Sequence, residues 1–296
     1  MPTTVRKATA ADSRAVYDLL RSSTLLNAGL PYAKRERLFR PNWGGTESHF
    51  GYVLEDEGGI RGFLGTLFTE REVAGTRRPF CELHSWYVQD DYRNEGIKLF
   101  LAAMSAKRVT ILNHTPSAGV YEIGKKFGFT DLETHVLVIP PVPTLRGLRP
   151  DFRVESSPEV IAGRLTGTER RLFEDHRHIE ECRHFLVTRR GSDTGLYLMV
   201  KRLWRRRWEP LGRILHLSDE KLFADAVDFL RLYLPVRMGL GYLIVDRGEL
   251  AEPDAIRFTR TVDRPVPSQF KSRDLTADQV RTSLYTEPLL VGYRLH

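Results

Sequence analysis

Short runs of alternating apolar and polar residues break up longer stretches with apolar positions at helical spacing. Residues 5–8 read as a strand, and Asp12 is placed to cap a helix bearing Ala15, Val16, Leu19 and Leu20 on its apolar side. Residues 51–54 and 62–68 read as strands around the turn E-D-E-G-G, and residues 80–88 as the next strand. An apolar helix over 96–106, a strand over 109–112, a helix over 117–126 and a closing strand over 134–139 follow. This order predicts a mixed α/β sheet with an early meander and late helices.

The second half repeats the pattern at an offset of roughly 130 residues, which predicts an internal duplication. Strands over 184–188 and 195–203 flank the turn R-R-G-S-D-T-G. A strand over 213–217 leads into a helix from Asp219 with Leu222, Ala226, Phe229, Leu230 and Tyr233 at helical spacing, and residues 242–245 supply the next strand. Between the halves, Pro140, Pro141, Pro143 and Pro150 deny the backbone donors and fix φ. The expected division is a domain over 1–140, a proline-rich linker over 141–150 and a second domain over 151–296.

Composition narrows the class. The 296 residues favour two domains over one oversized core. With 41% hydrophobic and 28% charged residues the chain reads as an ordinary soluble globular protein. Two cysteines cannot build a disulfide framework, and the first residues lack the apolar core of a secretory signal, so a cytoplasmic location is expected. A net charge of +7 favours anionic partners without choosing among them.

The chemistry concentrates in residues 88–98, V-Q-D-D-Y-R-N-E-G-I-K, between a strand and an apolar helix. A turn there aims backbone N–H groups outward at the positive end of the helix, a site for a pyrophosphate. Val88, Arg93, Asn94, Glu95, Gly96, Ile97 and Lys98 form this candidate cofactor turn, where a side chain on Gly96 would hold phosphate oxygens away.

The stretch resembles motif A of the GNAT (GCN5-related N-acetyltransferase) superfamily, in which V-x-P-x-Y-R leads into R/Q-x-x-G-x-G/A. Val88, Tyr92, Arg93 and Gly96 match, whereas Asp90 replaces the usual proline and Lys98 a small residue. Residues 5–16, V-R-K-A-T-A-A-D-S-R-A-V, resemble the family's first strand and helix, and residues 121–129, Y-E-I-G-K-K-F-G-F, its closing helix. The resemblance implies two GNAT-like domains, each a mixed, mostly antiparallel twisted sheet flanked by helices. It implies acetyl-CoA or another short acyl-CoA as donor, bound once per chain. Where the second half should carry motif A it reads L-S-D-E-K-L-F, whose acids would repel a pyrophosphate, so that half is expected to be a degenerate copy.

Acyl transfer to an amine needs a base for the amine and an acid for the departing thiolate. Glu82 stands as far before Arg93 as the general-base glutamate of the family's histone-modifying members. Strand alternation predicts Glu82, His84, Trp86 and Val88 on one face, making His84 the second candidate base. The thiolate acid of many members is a tyrosine five residues before the closing phenylalanine; here that position is Gly124, with Tyr121 one helical turn earlier as the candidate substitute. No Cys or Ser with a paired base stands near the motif, so direct transfer in a ternary complex is expected. The rival reading is a GNAT-shaped CoA-binding or scaffold protein without turnover.

Two other features carry less. His176, His178, Cys182 and His184 cluster, but their spacing matches no zinc-finger pattern and no metal is expected. The run K-R-L-W-R-R-R-W-E-P-L-G-R over 201–213 has arginine and tryptophan suited to phosphates and bases, but a solvated hairpin is the preferred reading, since charge runs are usually solvated faces. The expected acceptor is a small molecule or a larger amine-bearing partner, with the basic charge favouring an anionic one. Nucleic acid ranks below it. The sequence admits a homo-oligomer and specifies none.

Overall fold

The structure, a computed structural model, describes residues 2–23, 29–149, 151–204, 209–281 and 284–292. Two compact units divide the chain. The first comprises residues up to Leu132, Val266–Val280 and the described residues from Tyr285 onward; the second comprises Glu133–Pro265 and Arg281–Leu284.

The strands are β1 (Thr4–Lys7), β2 (Gly51–Asp56), β3 (Gly59–Val73), β4 (Thr76–Val88), β5 (Thr110–Asn113), β6 (Thr130–Ile139), β7 (Phe152–Glu155), β8 (Cys182–Arg189), β9 (Gly195–Trp204), β10 (Pro210–Leu217), β11 (Tyr242–Asp246) and β12 (Arg260–Lys271). The helices are α1 (Ser13–Arg21), α2 (Tyr32–Arg35), α3 (Gly96–Met104), α4 (Ala118–Lys126), α5 (Pro158–Arg164), α6 (Gly167–His176), α7 (Glu220–Met238), α8 (Ala277–Val280) and α9 (Glu287–Leu290).

In the first unit the strand order is β1-β2-β3-β4-β5, with the end of β12 beyond β5. All neighbours are antiparallel except β4 and β5. Helices cover both faces. On one face Val16, Leu19 and Leu20 of α1 pack with Phe39, Phe63 and Leu67, and Leu290 of α9 joins them. On the other, Leu99, Phe100 and Ala103 of α3 meet Leu54, Leu64, Cys81 and Leu83. Each such fully buried aliphatic or aromatic side chain is worth about 1.5–3 kcal/mol over an exposed one. Asp12 does not cap α1 with its carboxylate: Oδ2 accepts the Thr9 N–H at 2.8 Å, and the side chain pairs with Arg6.

The second unit has the order β6-β11-β10-β9-β8-β7, with only β10 and β11 parallel. Its core gathers Phe223, Val227, Leu230 and Leu234 of α7 against Leu198, Val200, Ile214 and Leu243. Asp219 caps α7 by accepting the Leu222 N–H at 2.8 Å, and Gly239, in the left-handed conformation at φ 63°, ends it. The connection β10–α7–β11 repeats β4–α3–β5, parallel strands joined by a helix, as the duplicated pattern predicts.

The proline-bearing stretch does not mark the division between the units. Residues 136–139 of β6 already pair with β11, so the chain enters the second unit before Pro140. Conversely, Gln269, Phe270 and Lys271 of β12 pair with β5 of the first. Each sheet draws an outer strand from the other half of the sequence, which contiguous boundaries could not anticipate.

Candidate functional site

Two strands part at the centre of the first unit. β4 and β5 pair in parallel only at Phe80–Thr110, Cys81–Ile111 and Glu82–Leu112; beyond this β4 runs on through residues 83–88 with β3 alone as ladder partner. A β-bulge follows the parting. The β3–β4 register shifts between Phe63 and Gly65, and Ser85 takes φ 51°, a left-handed conformation rare for a residue with a side chain. The bulge resets the alternation. Cys81 and Leu83 face α3, and so do Trp86 and Val88, whereas Glu82 and His84 face the other way. The single face expected for Glu82, His84, Trp86 and Val88 is therefore corrected: the extra residue sends Trp86 onto Phe100 of α3, ring centroids 5.3 Å apart.

The candidate cofactor turn lies where β4 ends. Residues Asp90–Glu95 form a 3₁₀ turn that leads into α3, with Gly96 buried at the junction. A Cβ on Gly96 would lie 3.3 Å from Cγ2 of Val88, so glycine here also lets the helix approach the strand. Arg93, Asn94, Ile97 and Lys98 are exposed around this junction. Arg93 pairs with Asp90 at 2.8 Å, and Lys98 with Glu95, which also accepts from the Thr3 hydroxyl. Both cations of the turn thus have carboxylate partners. A bound anion would rely first on the helix N-terminus, with Arg93 and Lys98 released from their partners. The glycine, the exposed turn and the parted strands fit a pyrophosphate.

On the opposite face, the C-terminal segment closes a buried polar cluster. Glu287 of α9 accepts from the Ser85 hydroxyl at 2.6 Å and stands 3.6 Å from Nδ1 of His84 and 3.8 Å from Arg35 of α2. Its backbone N–H donates to Oε2 of Glu82 at 2.7 Å. Gly65 makes room for the His84 ring, since any Cβ there would overlap the imidazole. Burial works to raise the Glu287 carboxyl, but His84, Arg35 and the Ser85 hydroxyl outweigh it and hold the group down at about 2. Glu82 is 1% exposed, and its carboxyl is pushed well above the usual range by burial and then by the Glu287 charge. Arg71 of β3, stacked over Phe80 at 4.6 Å and bonded to the Tyr285 carbonyl, is held down to about 10 by burial, against the pull of Glu82. The structure sets Glu82 and His84 on one face of β4 and gathers Glu287, Arg35 and Arg71 around them, which no sequence signal near the motif announced.

Tyr121 stands elsewhere, on α4. Its hydroxyl donates to Asp131 at 3.0 Å, and burial followed by that hydrogen bond raises its pKa. Gly124 has a steric reason. The Gln269 side chain of β12 fills the space beside it, donating from Nε2 to the Tyr121 carbonyl at 3.2 Å. A tyrosine at position 124 would require that side chain to leave.

The matching place in the second unit differs. Between β10 and α7, Asp219 occupies an N-terminal amide of the helix, and Ser218 exchanges hydrogen bonds with the Tyr197 backbone. The register of β10 also shifts between Ile214 and His216, as β4 does near Ser85. His184 bonds the Tyr197 hydroxyl at 2.8 Å and His176 the Leu172 carbonyl at 2.8 Å. Among the described residues no group of three or more His, Cys, Asp or Glu could hold a metal ion, and no helix is long and apolar enough to cross a membrane. Residues 205–208 of the basic run lie outside the described residues; within it Arg202 stacks on Trp204 at 4.8 Å.

No sequence-family profile matches the chain, and no curated protein matches it. Solved structures do. A GCN5-related N-acetyltransferase from Anabaena variabilis ATCC 29413 is similar at TM-score 0.60 and 12% identity over 91% of this chain and 72% of that one. One from Kribbella flavida is similar at TM-score 0.59 and 11% identity, over 91% and 70%. A tandem GNAT protein from the clavulanic acid biosynthesis pathway is similar at TM-score 0.58 and 13% identity, over 91% and 98%. The parted parallel strands, the glycine turn at the start of α3 and this likeness over nine-tenths of the chain give the protein the fold of the GCN5-related N-acetyltransferases.

Proposed function

We propose that the protein transfers an acetyl or other short acyl group from acyl-CoA directly to an amine. The observation that supports this most is the parting of β4 from β5 immediately after Glu82. It leaves a strand edge beside the α3 turn, with Glu82 and His84 on the strand itself. The turn from Val88 to Lys98 would hold the pyrophosphate, with Gly96 admitting it and Arg93 and Lys98 adding charge. When bound, acyl-CoA supplies the thioester. Glu82 and His84 would handle the amine's proton. Burial drives the Cys81 thiol, beside Glu82, far above its ordinary range, which argues against a covalent acyl-cysteine there and for direct transfer.

The second unit, with Asp219 seated on the α7 terminus, is read as the degenerate copy, giving one donor per chain. The acceptor is proposed to be an amine bearing a carboxylate or phosphate, in keeping with the net charge of +7. The rival, a CoA-binding protein without turnover, draws on Tyr121, whose hydroxyl is given to Asp131 rather than held free for a thiolate.

Calorimetry of the full chain with acetyl-CoA, followed by thiol release over a panel of amines, separates the readings. One-site binding with release supports transfer. Binding with no release on any amine supports the rival, and no binding overturns both.

A further inference from the structure

The C-terminal segment returns to the first unit and places one carboxylate against the only histidine on β4. We propose, resting on the acyl-transfer reading above, that Glu287 is the positioning residue of the acid–base site. It holds the His84 imidazole with Nδ1 toward its carboxylate, so that Nε2 takes the proton of the acceptor amine.

Four contacts hold Glu287, three from β4 and one from α2. The Ser85 hydroxyl of the bulge donates to it, Arg35 of α2 stands 3.8 Å away, His84 Nδ1 lies at 3.6 Å, and the Glu287 backbone N–H is given to Glu82. A carboxylate so held keeps its charge, and a charged acceptor opposite Nδ1 selects the tautomer with the proton on Nδ1 and the lone pair on Nε2. Both ring nitrogens of His84 are buried without a hydrogen bond; Nδ1 faces the Glu287 carboxylate at 3.6 Å, whereas among the described residues no charged group faces Nε2. Burying such an atom unsatisfied costs stability, which is tolerated where the atom serves a reacting group. The bulge matters here too: without the extra residue at Ser85, its hydroxyl would not meet the carboxylate that His84 faces.

The same contacts separate His84 from Glu82. The charged groups around the pair are Glu287 of α9, Arg35 of α2, Glu82 of β4 and, beyond Glu82, Arg71 of β3 with Tyr285. Burial first, and the Glu287 charge next, push the Glu82 carboxyl well above its usual range and so favour its acid form, while its Oε2 already accepts the Glu287 backbone N–H.

The step balances. The acceptor ammonium gives one proton to Nε2, and His84 later releases it to solvent. The freed nitrogen lone pair attacks the thioester carbonyl of acyl-CoA and the C–S bond breaks. The second proton that nitrogen loses passes to the departing sulfur, leaving an amide and a free thiol.

The test uses the full chain and its Glu287→Gln and Glu287→Asp variants, with acetyl-CoA and the best amine of the panel. Glu287→Gln should lower kcat by roughly 10–100-fold and leave acetyl-CoA affinity within about twofold, because only the orientation of a proton-transfer group is lost. Glu287→Asp should restore part of the loss. The ¹⁵N resonances of His84 should show one tautomer, protonated at Nδ1, in the parent and a mixture in Glu287→Gln. A Gln variant with parental kcat overturns the assignment. So does a parent chain whose His84 is protonated at Nε2, a measurement that stands even if the variants fail to fold. A parent that binds acetyl-CoA and releases no thiol overturns the acyl-transfer reading itself, and this inference with it.

Discussion

The side chain of Gln269 occupies the place where Gly124 would carry a Cβ. Gln269 belongs to β12, far along the chain, and is 1% exposed; its Nε2 holds the Tyr121 carbonyl. The glycine that interrupts the closing-helix pattern is thus the counterpart of a glutamine that sequence comparison within the helix could not see.

Gly124→Ala should therefore destabilise the protein by about 1–3 kcal/mol, the usual cost of overpacking. The Gln269 terminus can yield only by breaking its bond to Tyr121. Combining it with Gln269→Ala should recover most of the loss. Urea denaturation of the two single variants and the double variant reads the coupling; additive losses contradict the contact.

Gly96→Glu should abolish acyl-CoA binding, since it sets bulk and negative charge at the turn and presses on Val88. Gly96→Ala, whose Cβ meets Val88 at 3.3 Å, should cost less. Calorimetry is expected to give one site per parent chain and none for Gly96→Glu. Two sites, or undiminished affinity in the Glu variant, would show that the donor binds elsewhere.

Glu82→Gln distinguishes two roles for this carboxyl. A base demands a kcat loss of roughly 10²–10⁴. A carboxyl in its acid form is mimicked by an amide, and kcat should then stay within about tenfold, the result expected if His84 rather than Glu82 takes the amine's proton. Stability gives a second reading. The native Glu82 retains a proton that the unfolded chain releases in the ordinary carboxylate range, so this group lowers stability as pH rises above that range. The Gln variant should lose that contribution, measured as a smaller fall in urea midpoint between pH 5 and 8.

In the second unit, Glu133 and Glu249 are pushed up to about 7 and about 8, by burial first and by Asp246 next. Arg281 pairs with Glu133 at 2.7 Å, and Asp246 keeps its charge between Arg213 and Arg264. Native protons are again bound more tightly than unfolded ones, so stability should decline between about pH 5 and 8. Glu249→Gln should flatten that decline; an unchanged slope would mean that Glu249 ionises freely in the folded protein.

Much of this was legible along the chain. The strands on either side of the E-D-E-G-G turn, the helix opening at Gly96 and the helix capped by Asp219 follow from periodicity and local capping, which depend on neighbours in sequence. Glu82 and His84 were visible because strand alternation survives as far as His84. Trp86 and Val88 were misplaced because one bulged residue, Ser85, inverts every later side chain, and nothing in H-S-W-Y marks a left-handed serine. Glu287 was invisible for a different reason. Its partners come from α2, β4 and the bulge, and the short T-E-P-L-L helix that carries it has no periodicity to read.

The strand exchange between β6 and β12 bears on how the protein is made. During synthesis β5 emerges early, yet its neighbour Gln269–Lys271 arrives only after the whole second unit has been translated, at about 5–20 residues per second. For that interval β5 offers an open edge to any passing strand, its own nascent copies included. Contacts so distant in sequence close late and slowly. A chain released early, at the prolines near residue 150, would never acquire the strand that seals β5, nor would its β6 find β11. Premature termination should thus yield a sticky fragment rather than a folded first unit, and residues 269–271 govern whether the edge of β5 is closed.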